Sequence, residues 1–387
     1  MSLRQKTAPF LETIEDAVLD GLHGRSMLLT DDWSRAEVEA VANVAATLEL
    51  LDRRGVPTQF LANELLYALF FDNSTRTKSS WAGAAVRLGG HPMVVDGSST
   101  QVAHGETAEE TGAMLGMNSH ALGIRHDLIL GEGNKFMRSV KAGIDDYLRQ
   151  GGETRTVPIV NLQCDIDHPT QTLADLCWLR ERFPDGLSGK TIAVSWAYSP
   201  SYAKPLSVPQ GLIMLMTRFG MNVRLAHPPG YELMPQCMES ATKHAAESGG
   251  TFTVMKNMDE AFAGADVVYP KSWGPYDLML ERVDANRQKD TERMKDIERR
   301  ALERNRAHTD WICDERRMKL TGRGGALYMH CLPADIGAEV SAGVLEQFRF
   351  SLAREANKKV YVIMALLAAA KTTGLRSKLF GLAASAR

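Results

Sequence analysis

A chain of 387 residues exceeds what one hydrophobic core ordinarily fills, so about two domains are expected. Its hydrophobic content of 44% and charged content of 24% are those of a globular enzyme, which excludes a disordered or fibrous chain. A formal net charge of −2 gives no electrostatic case for a nucleic-acid partner or an anionic membrane surface. No stretch of Met1–Glu15 has the apolar core of a signal peptide. The longest apolar run, Val360–Ala370, falls short of the roughly 20 residues a membrane span needs. The five cysteines (Cys164, Cys177, Cys237, Cys313 and Cys331) lack CxxC spacing, which predicts neither a disulfide framework nor a zinc site and suits a reducing cytoplasm.

In chain order, Arg35–Leu51 is amphipathic and is stopped by Gly55 and Pro57. Leu65–Phe71 reads as a buried strand bounded by Asp72 and Asn73. A helix follows, with Trp81, Ala84, Ala85 and Leu88 on one face. His91–Asp96 is a further strand, Gly97–Gly105 a polar loop, and Glu106–Met117 a helix. Ala121–Arg125 and Val157–Leu162 are strands on either side of a Gly131–Gly133 loop. A helix runs from Pro169 to Phe183 and is ended by Pro184-Asp185-Gly186.

The second half repeats a simple rhythm, with strands expected at Thr191–Ala197, Asn222–His227, Asp266–Tyr269 and Ala326–Cys331 and helices between them. Such alternation predicts an α/β fold with parallel sheets covered by helices. Ligands then gather beyond the carboxyl ends of the strands. Ser199–Gln210, carrying Pro200, Pro205 and Pro209, is expected to be stiff and extended. Glu281–Arg306 reads as one solvated helix laced with ion pairs, and Val360–Ala370 as a buried helix.

Three polar clusters stand at element junctions. Ser74-Thr75-Arg76-Thr77 lies where a strand turns directly into a helix, so unpaired N–H groups and the positive end of the helix dipole face the loop. Two hydroxyls and a guanidinium fork complete an oxyanion cradle, although a simple Ser74 cap with a solvated Arg76 accounts for the same residues. His168-Pro169-Thr170-Gln171 places His168 at a helix start, where the dipole favours a neutral imidazole donor; an ordinary helix cap is the alternative. His330-Cys331-Leu332-Pro333 ends a strand. The proline is expected to hold Leu332 extended, with its carbonyl fixed as an acceptor for a ligand amine. Cys331 reads either as a nucleophile or as a thiol lining the pocket.

The three clusters, in this order and spacing, resemble the aspartate/ornithine carbamoyltransferase family. The likeness extends over nearly the whole chain, including the loop His104-Gly105-Glu106-Thr107 and the arginine-ended strand at Arg125. It implies a carbamoyl phosphate-binding domain over 1–165, an amino-acid-binding domain over 166–345, and a C-terminal helix over 346–387 returning to the first. It also implies a homotrimer with shared active sites. By the same resemblance, Ser74, Thr75, Arg76 and Thr77 bind phosphate, and Thr77, Arg125 and His168 address the carbonyl oxygen. Gln171 and the Leu332 carbonyl hold the carbamoyl amide. His104 stands where a loop of a neighbouring subunit would reach in, at a position relatives often fill with lysine. The reaction so implied is attack of a neutral amine on the carbonyl carbon, with an oxyanion intermediate and departing phosphate. It needs no metal, covalent intermediate or organic cofactor.

The departures concern the amine acceptor. Where ornithine-specific relatives carry an aspartate and an SMG-type loop, this chain has Tyr269-Pro270-Lys271-Ser272-Trp273-Gly274. A lysine there repels a free α-ammonium and attracts a carboxylate. Lys359 replaces an arginine of the relatives, with single-point rather than forked geometry. Lys271, Ser272, Trp273, Cys331, Leu332 and Lys359 are thus the expected acceptor side. Lys271–Gly274 and the proline-rich loop resemble the branch with a deep trefoil knot in the second domain, which includes the N-acetylornithine and N-succinylornithine enzymes. Within that branch, 2,3-diaminopropionate is a candidate acceptor and an N-acyl-ornithine the alternative. A non-catalytic binding protein of the same fold is a competing reading, but it has no need of carbonyl polarisers. A nucleotide-dependent dehydrogenase is disfavoured, because Ser199-Pro200-Ser201 stands where a GxGxxG would follow the strand.

Overall fold

Two runs of short parallel strands frame one cleft in the structure, a computed structural model that describes residues 1–386. The first half contributes β1 (Leu65–Phe70), β2 (His91–Asp96), β3 (Ala121–His126) and β4 (Ile159–Cys164), in the spatial order β2-β1-β3-β4. The second contributes β5 (Thr191–Trp196), β6 (Asn222–Ala226), β7 (Thr251–Met255), β8 (Val267–Lys271) and β9 (Leu327–Tyr328), ordered β7-β6-β5-β8-β9. Every pairing is parallel. The central strands carry largely apolar runs because helices cover both faces; β3 and β5 each bury five of their six residues. The carboxyl ends of both sheets open on the same cleft.

Helices knit the halves together. The C-terminal region is two helices rather than one: the long C-terminal helix Ala342–Lys371, which the shorter Leu375–Ser385 follows, spans 30 residues, about 45 Å at the usual rise, and is buried continuously from Tyr361 to Ala370. It packs against the helices Arg35–Asp52, Thr75–Arg87 and Pro169–Arg182. Between the halves, Asp167 Oδ2 accepts from Thr30 N (2.8 Å) and Thr30 Oγ1 (2.7 Å), and Arg218 donates to the Thr30 carbonyl (2.8 Å). Gln210 Nε2 donates to the Asp165 and Ile166 carbonyls at 3.0 and 2.8 Å. These buried polar contacts fix the mouth of the cleft.

Several sequence expectations are corrected. Ser199–Gln210 is not extended throughout: a helix, Ser207–Arg218, begins inside it. Pro209 is tolerated there because a first-turn N–H has no intrahelical partner to lose. Glu281–Arg306 is not one helix but parts of two, Tyr276–Arg287 and Thr291–Asn305. Lys289 takes a left-handed φ of 52° between them, and Asp290 caps the second through Arg293 N. Arg300 pairs with Glu281 at 2.7 and 2.9 Å across the hairpin so formed, while Ile297 and Ala301 are buried. The strand expected over Ala326–Cys331 pairs regularly only at Leu327–Tyr328. Leu332 is not extended; its φ is 53° and the Leu332–Pro333 peptide is cis. Edge strand β7 and the helix Gly133–Gln150 have no counterpart in the sequence reading.

Candidate active site

The strand turns directly into the helix, as the junction chemistry predicts. Phe70 ends β1 buried, and the helix Thr75–Arg87 begins five residues later with Trp81, Ala84 and Ala85 inside. Ser74 Oγ accepts from Thr77 N (3.1 Å) and is therefore the helix cap. Among the described residues nothing accepts from the Thr75 and Arg76 amides, so the helix start keeps donors to offer an anion. Arg76 leans across the cleft and donates to the Leu332 carbonyl.

Each strand end adds one side chain. A register shift between Ile124 and Arg125 in the β3–β4 pair re-aims Arg125, a role irregularities of this kind often serve. Asp127 then grips its guanidinium at 3.2 and 3.0 Å, and Asp72 touches it at 3.3 Å. Burial, with help from Asp72, pushes the Asp127 carboxyl up to about 6 against the pull of Arg125. His168 occupies the N-cap of the helix Pro169–Arg182 and is 3% exposed. Its pKa is driven well below the usual imidazole value, first by burial and then by Lys359, Arg125, Arg76 and Lys271. The neutral ring expected from the helix dipole is thus enforced mainly by desolvation and surrounding cations.

From the second half, Lys271 at the end of β8 is buried and donates to the Ser272 carbonyl (2.9 Å), with burial lowering its pKa. Lys359 reaches Thr77 Oγ1 at 3.4 Å from the C-terminal helix. Burial, then Arg76, brings its pKa down to about 7. Lys204 contrasts with both. Burial opposes its charge, but Glu339 (2.8 Å) and Asp335 (2.9 Å) outweigh that and hold its pKa above the usual value. Glu339 also accepts from the amides of Ser272 (2.7 Å) and Asp335 (2.8 Å), so one buried carboxylate pins three loops. His330 Nδ1 accepts from Leu332 N (2.8 Å), holding Leu332 in its left-handed turn.

The structure brings Ser74, Arg76, Thr77, Arg125, His168, Gln171, Lys271, Cys331, Leu332 and Lys359 around one cavity of about 90 Å³. Thr75 is exposed at the helix start and contributes only its backbone there. His104 is exposed on a separate turn and does not reach the cavity. Ser272 is buried behind Lys271, and the Trp273 indole points away, donating to the Tyr231 carbonyl at 2.8 Å. Sequence reasoning missed Gln163, Tyr202 and Lys204, which also line the cavity. Gln163 sits at the carboxyl end of β4, and the other two lie in the proline-rich loop after β5. The carboxyl-edge rule was the signal available for all three.

Cations dominate this wall. Arg125 and Lys204 have carboxylate partners, whereas Arg76, Lys271 and Lys359 have none among the described residues. The Arg76 guanidinium, two lysines without carboxylate partners, a neutral histidine donor and free helix-start amides can together receive a multiply charged anion.

Such an arrangement defines an acyl- or phosphoryl-transfer site between two parallel-sheet halves, and comparison with known proteins fixes the family. Residues 25–181 match the carbamoyl-P binding domain of aspartate/ornithine carbamoyltransferase, and residues 206–370 match its Asp/Orn binding domain. The chain belongs to the aspartate/ornithine carbamoyltransferase family and is a carbamoyltransferase. It is 48% identical over 370 residues to YgeW of Escherichia coli (strain K12), a provisionally assigned carbamoyltransferase, covering 93% of each chain. It is 32% identical over 362 residues to the N-acetylornithine carbamoyltransferase of Xanthomonas campestris pv. campestris, covering 89% of this chain and 97% of that one. Among solved structures, an acetylornithine transcarbamylase complexed with acetylcitrulline superposes with a TM-score of 0.72 at 28% identity, covering 90% of this chain and 98% of that one.

Proposed function

We propose that this enzyme transfers the carbamoyl group of carbamoyl phosphate to a primary amine of a small amino acid, with 2,3-diaminopropionate as the leading acceptor. The observation that carries the proposal is the convergence of Arg76, Thr77, Arg125, His168 and Gln171 with two unpaired lysines on one cavity. Arg76 and the free amides of the helix start take the phosphate, with Ser74, Thr75 and Thr77 beside them. Thr77, Arg125 and neutral His168 face the carbonyl oxygen, where negative charge develops as the amine attacks. Gln171 receives the carbamoyl amide, and the Leu332 carbonyl can share it once Arg76 turns to phosphate. The amine forms the new C–N bond, the C–O bond to phosphate breaks, and the departing phosphate accepts the amine proton. Holding two reactants in one geometry and stabilising the oxyanion are each worth several kcal/mol.

Lys271 and Lys359 address the acceptor carboxylate, and the Cys331 thiol lines its path. An N-acyl-ornithine is the second reading, favoured by the 32%-identical relative. Residues 1–165 serve carbamoyl phosphate, 166–345 the acceptor, and 346–387 close the first half. The proline-rich loop 199–206 forms part of a trefoil knot, and the assembled form is a cytoplasmic homotrimer in which His104 approaches a neighbouring site. Sedimentation at working concentration tests the trimer.

Phosphate release from carbamoyl phosphate by purified protein is expected to depend on an added amine. The screen runs across diaminopropionate, diaminobutyrate, ornithine, putrescine and N-acylated ornithines. If no amine accelerates release, transfer is refuted and a binding role takes its place.

A further inference from the structure

Behind the cavity wall lie two carboxyl groups that the reaction above does not use. Asp175 and Glu355 are both 0% exposed, and their side chains abut. Asp175 Oδ1 accepts from Gln171 Nε2 (2.7 Å), and Oδ2 accepts from the Tyr269 hydroxyl (3.3 Å). Glu355 Oε1 accepts only from the His330 amide (3.2 Å), and Oε2 is buried with no donor. Two carboxylates in contact and out of water cannot both ionise. Asp175 has two side-chain donors and the Lys359 cation nearby, whereas Glu355 has one amide, so the shared proton resides on Glu355. Burial pushes both groups up; Asp175 raises Glu355 further, whereas the hydrogen bond from Glu355 lowers Asp175, in keeping with that placement. Placed on Oε2, the proton turns the orphaned oxygen into a donor to Asp175.

The chain of donors then has one direction. Protonated Glu355 donates to Asp175, whose carboxylate can only accept, so it must take the amino end of the Gln171 amide. The carbonyl end, Oε1, is left facing the cavity, and among the described residues nothing donates to it. We propose that Asp175 and Glu355 are a positioning pair that locks Gln171 with its carbonyl oxygen toward the substrate, making the site selective for an acyl phosphate that bears an N–H donor. The inference rests on carbamoyl phosphate being the donor substrate. It assigns the discrimination against methyl-bearing acyl phosphates to residues that never touch them.

Acetyl phosphate is the probe, since it keeps the charge and replaces the amino group by methyl. Dissociation constants for carbamoyl phosphate and acetyl phosphate are measured by titration calorimetry on the intact protein. The wild type is expected to bind acetyl phosphate about 10- to 100-fold more weakly, the penalty for leaving a buried acceptor unpaired. Asp175→Leu removes the anchor and lets the Gln171 amide turn, so the ratio is expected to fall several-fold, towards what the Leu332 carbonyl alone supplies. Glu355→Gln supplies a permanent N–H donor in place of the protonated acid, so both the ratio and the turnover should be retained. This variant tests the inference even where Asp175→Leu fails to fold. A Glu355→Gln protein that loses the ratio, or an Asp175→Leu protein that keeps it, overturns the pair. A wild type that binds both acyl phosphates equally overturns the inference and leaves carbamoyl transfer standing; one that binds neither overturns both.

Discussion

Lys359 offers the sharpest test of the electrostatics. The residue is 3% exposed and its pKa is brought down to about 7 by burial and Arg76, against 10.5 for a free lysine. The difference corresponds to about 5 kcal/mol of preference for the neutral form at the empty site. A lysine with a lowered folded-state pKa weakens stability as pH falls from about 10 towards 7, and the whole cost is present below about 7. An anion bound against Lys359 reverses this by favouring the ammonium, so binding should draw in a proton. At pH 8 the empty site holds about a tenth of a proton on Lys359, so uptake should approach one per acceptor carboxylate bound; at pH 6 it should be near zero. Affinity should fall about tenfold per unit above pH 7 until the neutral amine binds as well. Calorimetry in buffers of different ionisation enthalpy reads the uptake directly. Lys359→Arg, charged throughout, should abolish the pH dependence between 7 and 9, and Lys359→Met should abolish the uptake with weaker binding at every pH. Equal uptake in wild type and Lys359→Met would refute the reasoning.

Arg76→Ala should weaken carbamoyl phosphate binding by roughly 1.5–3 kcal/mol, about 10- to 100-fold, read by the same titration; unchanged affinity would place the cradle elsewhere. His168→Ala should lower kcat by about 10²–10³-fold with little change in carbamoyl phosphate affinity, as expected for a group that acts on the developing oxyanion. Because His168 is already neutral, the kcat profile should show no inflection of its own near pH 6.5. Trp81→Ala should cost about 3–5 kcal/mol in urea unfolding, since the indole is fully buried and donates to the Leu66 carbonyl (3.2 Å).

Elements whose local chemistry decides their form were legible from residues alone. The buried runs of β1, β3, β5 and β8 stand out because both faces of a central parallel strand are apolar, and Ser74 and Pro169 mark helix starts by capping and ring geometry. Strand β7 was missed although Thr251-Phe252-Thr253-Val254 alternates polar and apolar residues: it is only five residues long and lies at an edge with none of them fully buried. The break at Lys289 carries neither glycine nor proline, and only the Asp290 cap betrays it. At the site, Arg76, His168 and Gln171 were readable because each sits at a junction. Gln163, Tyr202 and Lys204 were passed over: the carboxyl-edge rule pointed to their segments, but which side chains reach the cavity depends on how a strand and a loop from different halves meet. Trp273 shows the converse, a residue beside the site in sequence whose side chain the core claims.

The C-terminal helix carries a last consequence. Lys358 and Lys359 are neighbours in sequence, yet Lys359 points to Thr77 in the cavity while Lys358 joins Glu49 and Glu181 on the far side. Successive side chains on a helix diverge by about 100°, so rotation alone assigns them their two tasks. The helix therefore behaves as a keyed shaft. The alanine- and leucine-rich stretch 362–370 is chemically plain, but one residue added or removed there would turn the key. It would offer the wrong lysine to the cavity or pull the buried stripe out of register, although every functional side chain would still be encoded.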